Sequence, residues 1–195
     1  MRARFEALRD VERALIRGRL VDAKVSARDI ANARDEHELT EWAAQASVVR
    51  GAAARVAKAS SADQALRELP AVAVACAECH IASGRWPALA SAPPAPADAT
   101  LVLRMARHQW ATDRLWSGLV GGSEASWRAG LEVLATTPPP FAIVDADKVS
   151  LGRQLQAYAT AALRSQPNDS LEQRAHAYGE MLVICAACHE TPPRP

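Results

Sequence analysis

Apolar residues recur along this chain at helical spacing. Leu101, Met105, His108, Thr112, Leu115 and Leu119 follow a 4-3-4-3-4 rhythm, one face of a helix. Met1, Arg4, Leu8, Val11 and Leu15 hold the corresponding face at the N-terminus. The same periodicity predicts helices over 20–33, 40–59 and 61–82, and again over 123–135, 147–165 and 170–190. Ser61 and Ser170 stand at N-cap positions, each with an acidic residue two places on. Val and Ile fall in no alternating run, so no strand is predicted and the expected class is all-α.

The two sets of helices are two copies of one plan. Laying "MRARFEALRDVERALIRG" (1–18) over "MARHQWATDRLWSGLVGG" (105–122) puts Met1 on Met105, Arg9 on Asp113 and Gly18 on Gly122, with apolar positions in agreement. "SADQALRELPAVAVACAECH" over "SLEQRAHAYGEMLVICAACH" matches Ser61 to Ser170 and Gln64 to Gln173. The offset between copies grows, which places a short insertion in the second copy near 136–148. An Ala/Pro-rich stretch separates the copies and reads as a linker. The expected organisation is a first domain over 1–85, a linker over 86–98 and a second domain over 99–195, each a four-helix bundle. Bundles of that size are marginal on hydrophobic burial alone and gain from a staple. Pro70 interrupts the last helix of the first copy where the second has Gly179, so a kink is predicted at both places.

Composition narrows the classes. With 49% hydrophobic residues the chain can bury a core, and a net charge of +1 offers no electrostatic footprint for nucleic acid. No stretch approaches the apolar length of a membrane span, and the N-terminus has no signal-peptide core.

The chemistry lies in the cysteines. All four fall in two Cys-x-x-Cys-His units: Cys76, Cys79 and His80, then Cys185, Cys188 and His189. Positions i and i+3 share a helix face. Two thiols so placed can each bond one vinyl group of a haem, with the adjacent imidazole as the proximal iron ligand. Leu69, Ala73, Cys76 and His80 recur at bundle-face spacing, as do Tyr178, Leu182, Cys185 and His189. A Cys₄ zinc staple across the domains is a weaker fit, a thioredoxin-like redox pair lacks its βαβ context, and unliganded buried thiols would leave the two histidines unexplained.

Here the chain resembles a known family. Tandem four-helix modules, each ending in a Cys-x-x-Cys-His helix, are similar to cytochromes of the c-prime type (class II c-type cytochromes), duplicated into a di-haem protein. "YGEMLVICAACH" and "MARHQWATDRLW" resemble small di-haem cytochromes of Gram-negative bacteria. The resemblance covers most of the chain in architecture, but only the haem motifs are specific, and each copy is shorter than a typical c-prime module. It implies two covalently attached haem c groups and electron transfer between redox partner proteins rather than a dedicated enzyme. Because attachment takes place outside the cytoplasmic membrane, it also implies a periplasmic protein, with an export signal removed or upstream of Met1.

The second axial ligand decides between electron transfer and chemistry at an open iron. In an up-down-up-down bundle, a distal ligand comes from the start of the first helix or from the connection between the second and third. In the second copy His108 is that candidate, with Met105 one turn earlier as the fallback. In the first copy the matching position is Arg4, a guanidinium that stays protonated and cannot ligate iron. His37 in the second connection and Met1 are then the candidates, and Arg4 suits a haem carboxylate. His176 lies too far up its helix to reach the same iron as His189. Met181 and the tryptophans read as packing or linker anchors. The expected function is electron carriage; the alternative is a gas-binding or sensing protein, or a peroxidase, with the first iron open near Arg4.

Overall fold

A computed structural model describes residues 2–33, 42–85, 93–138, 146–165 and 169–190; the side chains of 2–4 and 190 lie outside the description. Helices α1 (Arg2–Ile16), α2 (Leu20–Asn32), α3 (Ala43–Lys58), α4 (Ala62–Glu68) and α5 (Pro70–Ser83) make up the first half. The second half comprises α6 (Leu101–Val120), α7 (Glu124–Thr136), α8 (Ala146–Ser165) and α9 (Leu171–Glu190). No strand occurs among the described residues, and the fold is an all-α helical bundle.

Local chemistry explains the boundaries. Ser61 Oγ accepts from the Gln64 N–H at 3.1 Å, and Ser170 Oγ accepts from the Gln173 N–H at 3.3 Å. Gln173 returns the bond, its Oε1 accepting from the Ser170 N–H at 2.7 Å, which completes a capping box. Thr100 and Ser123 cap α6 and α7 in the same way.

The repeat is visible in the turns. α1 ends with Gly18 at φ 69° and α6 with Gly122 at φ 60°. Arg19 N–H donates to Ala14 O and Gly18 N–H to Leu15 O; Ser123 N–H donates to Gly118 O and Gly122 N–H to Leu119 O. The same left-handed C-terminal motif thus closes both helices at matched positions.

In each half every helix packs on the next; α9 returns to α6, and in the first half it is α4 that meets α1. The halves also share a core: Leu15, Leu66, Leu69, Leu115, Trp116, Tyr178 and Leu182 belong to one buried cluster. The linker does not separate two cores. Contacts across the halves come in matched form, α5 on α6 with α9 on α1, and α4–α5 on α9. Arg9 pairs with Asp113, the residue it overlays in the repeat. Matched residues meeting each other is the signature of a two-fold relation, here within one chain.

The kink prediction holds at one place only. Pro70 occupies the first turn of α5 and separates it from α4 at Leu69. α9 runs unbroken through Gly179, since glycine keeps its N–H and the hydrogen bond that proline lacks. Gly179 instead allows close approach. A Cβ there would lie 3.3 Å from Arg67 Cα and 3.4 Å from Pro70 Cγ.

Candidate functional site

The last turns of α9 place Cys185, Cys188 and His189 on the lining of a cleft of about 280 Å³ between α1, α6, α8 and α9. Met105, His108 and Thr112 of α6 line the same cleft, and Leu151, Gly152 and Leu155 of α8 supply an apolar wall. Arg13, Ile16 and Arg17 come from α1 of the other half. The structure therefore brings His108 and Met105 together with the second cysteine motif.

Burial sets the electrostatics. The His108 imidazole is lowered to about 4 by burial first, then by His189 and Arg107, so it is neutral with a lone pair to offer at physiological pH. His189 is lowered by burial, then by Lys148 and Arg17. Burial pushes the Cys185 thiol up to about 12, helped by Cys188 and Glu12. None of the four cysteines is in a disulfide, and each is half-buried. The cleft thus has apolar walls, two imidazoles, two thiols and arginines at one side.

The first motif is set differently. Cys76 and Cys79 are half-buried and His80 is 9% exposed. His80 Nδ1 donates to the Val120 carbonyl oxygen at 2.9 Å. A carbonyl only accepts, so Nδ1 is the donor in this contact, as in histidines whose other ring nitrogen ligates a metal. Val120 ends α6, so the bond also satisfies a carbonyl in the last turn. The residues matching Met105 and His108 are Met1 and Arg4, whose side chains lie outside the described residues, as does His37.

Among the described residues, no group of three or more His, Cys, Asp or Glu side chains is arranged to hold a bare metal ion. A zinc staple across the four cysteines is not assembled. A porphyrin iron asks less of the protein, two axial ligands at most, and the residues at the second motif fit such a group.

Other expectations meet the structure plainly. Trp116, Trp127 and Met181 are fully buried, His176 is exposed, and Trp110 Nε1 donates to Pro93 O at 2.8 Å. Among the described residues no helix is long and apolar enough to cross a membrane. Sequence reasoning missed the contributions that cross between halves: Arg13, Ile16 and Arg17 in the cleft, and Val120 on His80. It also missed a buried network on α1. Arg9 bonds Glu12, Asp113 and Tyr178, and Tyr178 Oη donates to Glu12 Oε2 at 2.7 Å. The one available signal was Arg9 overlaying Asp113 in the repeat, an opposite pair at matched positions.

Comparison with protein-family models, with curated protein sequences and with solved structures gave no match.

Proposed function

We propose that the chain is a di-haem c-type cytochrome, two tandem haem modules that pass electrons between redox partner proteins. The observation that carries the reading is the cleft in which Cys185, Cys188 and His189 share walls with His108 and Met105. Haem c supplies reversible one-electron chemistry when attached. The chain's residues bind and tune it. Cys76 and Cys79, and Cys185 and Cys188, would be the attachment thiols, and His80 and His189 would be the proximal ligands. Neutral His108 would hold the second iron on its distal side, and His37 or Met1 would be the candidate for the first. Val120 holds His80 in the tautomer that ligation requires. Leu151, Leu155 and Ile184 line that cleft with apolar surface, which would favour the less charged, reduced iron. Attachment by c-type maturation makes the periplasm the site of action.

The test is an electronic spectrum of purified protein, oxidised and reduced, with and without carbon monoxide. The reading expects c-type bands and a second haem, closed by His108, that does not bind carbon monoxide. Carbon monoxide binding at the first iron favours the gas-binding or peroxidase alternative, and binding at the second as well removes His108 as its ligand.

A further inference from the structure

Glu12 is fully buried, on the α1 turn preceding the cleft-lining Ile16. Its Oε2 accepts from Arg9 and from Tyr178, while its Oε1 has no partner. Among the described residues Arg9 is the one cation hydrogen-bonded to Glu12, with Arg13 acting on it at longer range, and Arg9 is shared with Asp113. One guanidinium serves two carboxylates, so the group holds one negative charge more than it can neutralise. Asp113 reaches solvent, with its side chain 39% exposed, and accepts from Gln109 at 3.0 Å. The excess therefore falls on Glu12, where an unpaired charge is costly and a proton relieves it.

The network abuts the cleft. Tyr178 Oη lies 3.2 Å from the carbonyl oxygen of Thr112, a lining residue, and Tyr178 stands two turns before Cys185 on α9. The Glu12 charge acts directly on the Cys185 sulfur. Other ionisable groups around it are Arg13 on α1 and Arg114 of α6, which acts on Arg9. α4, also packed on α1, presents buried Ala65 and Leu66 there, while its Arg67 turns to Glu180.

We propose that Glu12 is a proton-binding site coupled to the charge in the Cys185–His189 cleft, so that electron uptake at the second iron is accompanied by protonation of Glu12. The inference rests on the haem reading. An electron arriving from a reducing partner protein removes one positive charge from the cleft. The Glu12 carboxylate, less stabilised, takes one proton from solvent and becomes the neutral acid; oxidation returns it. Burial already holds the Glu12 carboxyl above its ordinary value, in the same direction. Linkage then makes the midpoint potential of the second haem fall as pH rises through the window between the oxidised and reduced values.

The experiment is a spectroelectrochemical titration of the holoprotein from about pH 5 to 9, comparing wild type with Glu12→Gln and Tyr178→Phe. Intact mass is measured first. Wild type is expected to take up as much as about one proton per electron at the second haem. Glu12→Gln keeps the shape and the acceptor for Tyr178 and loses that dependence. Tyr178→Phe, which removes a donor to the carboxylate, moves the window to higher pH and decides the matter if Glu12→Gln does not fold. Two haems by mass with an unchanged slope in Glu12→Gln, or an unmoved window in Tyr178→Phe, overturn this inference alone. A chain without haem overturns the functional reading and this one with it.

Discussion

Arg9→Met removes a guanidinium while keeping most of the apolar stem, and the structure sets the size of the loss. Glu12 would lose its cation at 0% exposure, whereas Asp113 regains water easily. A carboxylate stranded in that position takes up a proton instead of remaining charged. Doing so costs about 1.4 kcal/mol for each pH unit above its ordinary 4.5. The penalty is therefore at most about 3 kcal/mol at pH 7, less what the raised Glu12 of the wild type already costs, and under about 1 kcal/mol at pH 5. Loss of the cation–π contact with Trp116, at 6.0 Å, adds about 1 kcal/mol at either pH. The sign follows from Glu12 binding its proton more tightly in the folded chain, so stability rises as pH falls. Urea denaturation at both pH values reads the difference, and Glu12→Gln on the Arg9→Met background should recover the pH-dependent part. A cost below about 1 kcal/mol at pH 7, or one equal at the two pH values, refutes the reasoning.

Gly118→Ala should destabilise the fold by about 1–3 kcal/mol, because the new Cβ would sit 2.7 Å from the Trp127 backbone nitrogen. Gly51→Ala, with nothing within 4 Å, should instead stabilise α3 by about 0.5–1 kcal/mol. Thermal melts of the two variants must therefore move in opposite directions. His108→Ala should open the second iron, giving a high-spin, carbon monoxide-binding signal confined to half of the haem. An unchanged spectrum would make His108 a packed core histidine only.

The helices, the Ser61 and Ser170 caps and the paired Gly18 and Gly122 turns were legible because each depends on residues within a few positions of one another. The likeness of the copies was legible for the same reason. Packing across the copies was not. Nothing local distinguishes a linker between separate bundles from one between halves that share a core, and Gly179 reads alike as a hinge or a contact point. Only its neighbours Arg67 and Pro70 decide. The proximity of His108 to the second motif followed from helix order, since first and last helices of a bundle half are adjacent. The α1 side of that cleft did not, because Arg13 and Arg17 have the periodicity of a solvated face. Buried Arg9 and Glu12 defeat the hydrophobic pattern altogether, each being polar on a stripe that the fold turns inward.

The most direct test of the central claim is the intact mass of the chain after periplasmic expression with c-type maturation machinery. The account predicts the chain mass plus two covalently bound haems, retained under denaturing conditions. A pigment-free chain of unmodified mass, or one that carries zinc, would contradict it.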